Sequence, residues 1–319
     1  MPLVLGIDEA GYGPALGPLV VAGAAWRVPR GGARLCIWDA LRTSVCRAPE
    51  RGDWRFAVAD SKTLYDRKKG LHTLERSVLA FAHAAGLECG TLAELLKSTT
   101  GAAAMAGDEP WYRQLGQELP IDRLRSKADG ATERLKRGMQ EVGVACVGML
   151  AEVVSEQAFN RRVRVTRNKA AVVQEQVLRL IVRAASLAGD DDLVIRVDRL
   201  GGRTDYRELL STAFPERSLR IVEVSPERSR YRLVGRSNRW FVEFAVGAED
   251  LHLPVALASM LAKYLRELLM ERFNAYWRAL LPALRPTAGY HTDAERFLVD
   301  IRPVSARAGL PIDQFVRAV

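Results

Sequence analysis

Residues 6–23 read GIDEAGYGPALGPLVVAG, two apolar runs on either side of a glycine-rich turn. The first run begins at Leu3 as LVLGIDE and ends in two acids, Asp8 and Glu9. Gly11, Gly13 and Gly17 fill the turn, and the second run goes from Leu19 to Trp26. Runs of this length, rich in β-branched residues and leucine and broken by glycine, predict a hairpin at the centre of a sheet.

Outward from this hairpin, strands and helices alternate. Val144–Val154, Asp192–Asp198 and Leu219–Val224 are apolar runs of strand length. Residues 65–86 carry Leu71, Leu74, Val78, Phe81 and Ala85 at three- and four-residue steps, with Gly86 as a stop. Lys169–Ala188 shows the same period and ends at Gly189. Pro254 suits the first turn of a helix running to about Leu280, where Pro282 and Pro286 stop it. Tyr290–Val319 holds one or two short helices, and residues 91–140 read as an inserted helical or loop region. The class is α/β.

The chain has 319 residues, 48% hydrophobic and 27% charged, enough to bury a core without disulfides or metals. Its longest uncharged apolar run, Pro18–Trp26, falls far short of the roughly 20 residues of a spanning helix. No secretory signal is evident at the N-terminus. Cys36, Cys46, Cys89 and Cys146 fit no zinc spacing and read as reduced thiols of a cytoplasmic protein. Lys and Arg number 47 against 38 Asp and Glu, a net charge of +9 that suits a polyanionic partner.

Acids stand in three places where a sheet can gather them: Asp8-Glu9 at a strand end, Asp198 ending Leu193–Val197, and Glu267 on the long helix. On that helix Ala256, Ser259, Lys263 and Glu267 share one stripe. Acids at buried strand ends are costly unless paired or bound to a cation. Carboxylate-only ligation suits Mg²⁺ or Mn²⁺. Two such ions about 3.5–4 Å apart serve phosphodiester hydrolysis. Taken singly, each acid also reads as an ordinary turn or helix-surface residue. Asp8-Glu9 is less ordinary, because the glycines after it let backbone approach a ligand.

The motifs resemble type 2 ribonucleases H (ribonuclease HII). GIDEAGYGPALGPLVVAG is similar to the family's first motif and ADSKTL (Ala59–Leu64) to its second. VDRLGG (Val197–Gly202), PVALASMLAKYLRE (Pro254–Glu267) and AGYHTD (Ala288–Asp293) are similar to the third acidic strand, the fourth-acid helix and the C-terminal tyrosine motif of the archaeal and eukaryotic branch. The resemblance implies a ribonuclease H-like fold: a mixed five-stranded sheet flanked by helices, with a catalytic domain over 1–253 and a C-terminal helical part over 254–319. It implies insertions near 91–140 and 225–243.

The same resemblance implies an endonuclease, acting as a monomer, that hydrolyses the RNA strand of RNA–DNA hybrids or single ribonucleotides in duplex DNA. Cleavage would fall 5′ to the ribonucleotide and leave 3′-hydroxyl and 5′-phosphate ends. Asp8, Glu9, Asp198 and Glu267 would hold two Mg²⁺ or Mn²⁺ ions. Gly11, Tyr12 and Gly13 would meet the ribonucleotide's sugar, Tyr290 would stack on it and sense the 2′-hydroxyl, and Lys62 would lie near a backbone phosphate. Two departures stand out: Tyr12 replaces the family's usual Arg or Lys, and Glu267 its usual Asp. They leave open a catalytically weak nucleic-acid-binding paralogue, or a related nuclease for another substrate such as branched DNA.

Two basic clusters add to this. Arg217–Arg239 has seven arginines against two glutamates, and Arg161–Lys169 has five cations and no acid. Each reads equally as a solvated segment or a nucleic-acid contact. The four histidines are too scattered for a metal site, and Ser61 has no evident base beside it.

Overall fold

A computed structural model describes every residue except 33–34, 51, 66–69, 102–108, 122–129 and 319. β1 (Leu3–Ala10) and β2 (Leu19–Arg27) form the expected antiparallel hairpin, in register from Leu3 opposite Arg27 to Ala10 opposite Val20. β3 (Val45–Cys46) and β4 (Phe56–Ala57) make a small separate pair. β5 (Ala145–Val154) lies antiparallel to β2, while β6 (Leu193–Asp198) lies parallel to β1 on its other side. β7 (Ser218–Val224) and β8 (Arg228–Val234) are a hairpin that continues antiparallel into β9 (Arg239–Ala245), and β9 lies parallel to β6. The order is β5-β2-β1-β6-β9-β8-β7. The mixed sheet flanked by helices is present, and the hairpin β7–β8 widens its five strands to seven.

Helices cover both faces. α1 (Ile37–Ala40), α2 (Ser61–Leu64), α3 (His72–Ala84), α4 (Leu92–Thr100) and α5 (Ala131–Glu141) precede β5; α6 (Glu156–Thr166), α7 (Lys169–Ala188) and α8 (Arg207–Ala213) follow it. After β9 come α9 (Ala248–Leu251), α10 (Leu253–Leu280) and α11 (His291–Arg307). Period-2 alternation divides β1 between two cores. Leu3, Leu5 and Ile7 bury with Val173, Val177 and Leu180 of α7, whereas Val4 buries with Leu257 and Leu261 of α10. Gly6 lies on the α10 side, where a Cβ would sit 2.1 Å from the Pro254 carbonyl carbon. Glycine there lets α10 rest directly on β1, which sets the depth of the helix over the strand ends.

The stretches read as insertions are built into the fold. Of the stretch 65–86 expected to be helical, His72–Ala84 forms α3; Tyr65 is extended backbone closing α2, and residues 66–69 lie outside the described residues. Within 91–140, a capping box between Thr91 and Glu94 starts α4. Leu92, Leu95, Leu96, Trp111, Leu135 and Met139 are buried in the core beneath α10. Residues 102–108 and 122–129 of that stretch lie outside the described residues. Nor is 225–243 a charged loop: it is β8 and most of β9, with Tyr231, Leu233, Trp240 and Val242 alternating into the core on the α7 side.

Candidate active site

Three neighbouring parallel strands, β1, β6 and β9, end at one edge of the sheet, and acids stand at or just past each end. Asp8 and Glu9 close β1 and Asp198 closes β6. Glu249 lies in α9, four residues after the end of β9. The chain leaves β9 through Gly247 at φ 63° and turns at once into α9. The Ala248 amide donates to Asp198 Oδ1 at 3.1 Å, which fixes this turn against β6. The edge is partly closed by α2 and α10, where Ser61 Oγ and Ser259 Oγ lie 3.0 Å apart and Ser259 also hydrogen-bonds Asp8.

Crowding of these acids shows in their proton affinities. Burial first, then the charges of Glu9 and Asp198, push Asp8 well above the usual carboxylate range. Burial and Asp198 push Glu9 up to about 7, against the opposing charge of Lys62. Burial likewise carries Glu249 up to about 7, with Asp198 adding to the rise and a backbone hydrogen bond opposing it. Lys62 is held above its usual value: its own desolvation lowers it, but Asp60, Asp8, Glu249 and Asp198 together outweigh that. Glu9 and Glu249 each keep one buried carboxylate oxygen, Oε2, without a hydrogen-bond partner.

These groups suit a hard divalent cation in kind: oxygen donors only, negative in sum, with orphaned oxygens inside the protein. As placed they form two hydrogen-bonded pairs, Asp8 with Glu9 and Asp198 with Glu249. Among the described residues no group of three or more His, Cys, Asp or Glu stands ready-made to hold an ion.

Glu267 is not in this cluster. It is eight residues beyond Ser259 on α10, about 12 Å along the axis. Its carboxylate takes hydrogen bonds from Tyr65 at 3.1 Å and Lys263 Nζ at 2.6 Å, and Arg266 lies 3.6 Å away. The acid that stands with Asp8, Glu9 and Asp198 at this edge is Glu249, which the sequence reading missed. Its signal was available: an acid close to the end of an apolar strand, as with Asp8-Glu9 and Asp198. It was hidden because β9 lay inside a stretch taken for an insertion.

The glycine turn stands beside this edge, and the far end of the chain shapes it. Gly11 has φ 92°, and a Cβ there would meet Arg266 Nε at 2.5 Å and Pro18 O at 2.6 Å. The amides of Ala15 and Leu16 donate to Gly289 O, and Arg266 NH2 donates to the carbonyls of Leu16 and Ala288. Tyr290 is thereby set against the turn, 45% exposed, its ring centre 5.5 Å from the Arg266 guanidinium. Arg317 donates to the carbonyls of Tyr12 and Pro14. Gly13 is open, with nothing within 4 Å of a built Cβ. Lys169 Nζ lies 5.4 Å from the Tyr12 ring centre, so a cation does stand by the turn.

No family model matches the chain, and no curated protein is similar to it. Among solved structures it is similar to the ribonuclease HII of Archaeoglobus fulgidus in a complex with PCNA. That match has 17% identity and a TM-score of 0.46 over 99% of this chain and 93% of that one. It is also similar to ribonuclease H2 of Pyrococcus horikoshii OT3 (15%, TM-score 0.48, 98% and 92%). A third match is Bst-RNase HIII in complex with Mn²⁺ (15%, TM-score 0.42, 99% and 65%). All three of these structures carry the name ribonuclease H.

Proposed function

We propose that the protein is a divalent-cation-dependent endoribonuclease of the type 2 ribonuclease H kind. It cuts the RNA strand of RNA–DNA hybrids and single ribonucleotides in duplex DNA, 5′ to the ribonucleotide, and leaves 3′-hydroxyl and 5′-phosphate ends. One observation carries the reading: Asp8, Glu9, Asp198 and Glu249 gather at the ends of three adjacent parallel strands, with two buried carboxylate oxygens left unpartnered.

Those four acids are the residues that would hold Mg²⁺ or Mn²⁺, which when bound supplies charge neutralisation and activation of water. The remaining roles belong to the chain itself. Lys62 draws a backbone phosphate toward the acids. Gly11 and Gly13 let backbone groups reach the 2′-hydroxyl, the feature that separates RNA from DNA. Tyr290 offers an exposed ring for the sugar. Lys169 beside Tyr12 supplies the positive charge that the family's usual Arg or Lys would bring.

The test uses a duplex with one embedded ribonucleotide, incubated with Mg²⁺ or Mn²⁺. A single cut 5′ to that ribonucleotide is expected. Glu249→Gln lowers the rate at least about 10²-fold, the scale of a misplaced catalytic group, while Glu267→Gln stays within a few-fold of the native protein. Mn²⁺ raises Tm for the native protein and not for Glu249→Gln. Absence of cleavage by the native protein at any concentration discards the enzyme, and hybrid binding without cleavage identifies the weak paralogue instead. Loss of activity in Glu267→Gln alone returns the fourth position to α10.

A further inference from the structure

The arginines of 217–239 are sorted by the sheet. Arg217 is structural: its guanidinium lies 3.6 Å from the Trp240 ring centre and NH1 donates to Asn238 Oδ1 at 2.9 Å. The strand arginines differ. Tyr231, Leu233, Trp240, Val242 and Phe244 point into the core on the α7 side, so their alternates Arg228, Arg230, Arg232, Arg239 and Phe241 face the other way. That is the face of Val194, Arg196 and Asp198 on β6 and of Gly6 and Asp8 on β1. Strand pairing sets the residues in rows. Asp198 is level with Ala245 and Arg228; Arg196 with Glu243, Arg230 and Glu223; Val194 with Phe241, Arg232 and Arg220.

Acids neutralise the middle row. Glu243 accepts from Arg230 and pairs with Arg196 at 2.8 Å, and Glu223 pairs with Arg228 and Arg230 at 3.3 Å. The outer row is different. Arg220 and Arg232 sit directly opposite each other on β7 and β8, both exposed. Neither has a carboxylate partner among the described residues, and Arg232 has only the Phe241 ring, 5.3 Å from its guanidinium. Like charges directly opposite across strands destabilise a sheet. Such a pair is relieved by an anion that lies over both.

We propose that this face of β7–β8–β9, centred on Arg220 and Arg232, carries the phosphate backbone of duplex nucleic acid. The inference rests on the ribonuclease reading for what the duplex is. With strands about 4.8 Å apart and residues about 3.3 Å apart, the pair lies on the order of 20 Å from Asp198, on the same side of the sheet and beyond the part where Ala245 buries against Ala248 of α9 and Val255 of α10. Phosphates rise 3.4 Å per nucleotide, so this is roughly six nucleotides from the cleaved bond. A duplex seated at the acids and passing α9 toward β7–β8 meets the arginines at this spacing.

Binding is read by fluorescence anisotropy in EDTA, where no cleavage occurs, on an RNA–DNA hybrid of about two helical turns and on plain duplex DNA of the same length. Between roughly 50 and 200 mM salt, Arg220→Gln/Arg232→Gln is expected to lower the slope of log Kd against log salt by about 1.8 and to weaken binding about 10-fold. Arg220→Lys/Arg232→Lys keeps the native slope. Tm of the Gln variant equals or exceeds the native value, because a like-charge pair has been removed. An unchanged slope overturns the proposal, as does a fall in Tm. So does a loss confined to vesicles of anionic phospholipid. Native cleavage with an unchanged slope sinks the arginine face alone; absent cleavage with a changed slope sinks the ribonuclease reading alone.

Discussion

At the residue scale, Gly11 and Gly13 belong to one motif but answer to different constraints. Gly11 is glycine for the fold: its positive φ and the close approach of Pro18 O leave no room for a Cβ. Gly11→Ala should cost about 1–3 kcal/mol and lower Tm in a thermal melt. Gly13 is exposed and unobstructed, so Gly13→Ala should leave Tm within error while raising KM for a single-ribonucleotide duplex. Equal Tm losses in the two variants would remove Gly13 from the substrate-facing role. The sequence showed both glycines but not this division, since two of the three atoms that crowd Gly11 come from Arg266, far along the chain. Asp8, Glu9 and Asp198 were legible because an acid ending an apolar strand is visible without tertiary knowledge. Glu267 was grouped with them because it ends a motif, but helical spacing alone says nothing about which turn reaches the sheet, and its carboxylate sits instead with Tyr65 and Lys263.

At the scale of elements, the long regular pieces were legible and the short or charged ones were not. Lys169–Ala188 was bounded by its period and its glycine stop, and α7 occupies that span. β8 was opaque because its outward residues are mostly arginines, so its strand alternation reads as a charge run. Glu243 holds this part of the sheet together. Burial alone raises its pKa, but the His252 hydrogen bond and the charges of Arg196 and Arg230 outweigh that and hold it down at about 2. The folded value is below the ordinary 4.5, so the stabilisation is complete above about pH 4.5 and is lost as pH falls toward 2. The Tm gap between native protein and Glu243→Gln should be widest at neutral pH and close across that window. A gap that stays constant would show that the ion cluster contributes nothing through its charge.

Across the whole molecule, the acid cluster and the glycine turn are assembled from remote parts of the chain. Arg317 is 303 residues from Pro14, whose carbonyl it holds, and the Ala318 amide donates to Asn160 Oδ1 at 2.6 Å. Leu16 bridges to Val316, and Asn160 Nδ2 donates to the Val316 carbonyl at 2.7 Å. Arg317→Ala should therefore act on the turn: kcat/KM falls about 10-fold, while amide hydrogen exchange speeds up in residues 12–17 and not in β1. Unaltered exchange there would make the clasp incidental. The geometry also bears on biosynthesis. A ribosome releases Asp8 long before Glu249 and Arg317, so a nascent chain holds an unfinished cleft for most of its translation, and a product truncated upstream of Glu249 lacks both the last acid of the cluster and the clasp on the glycine turn.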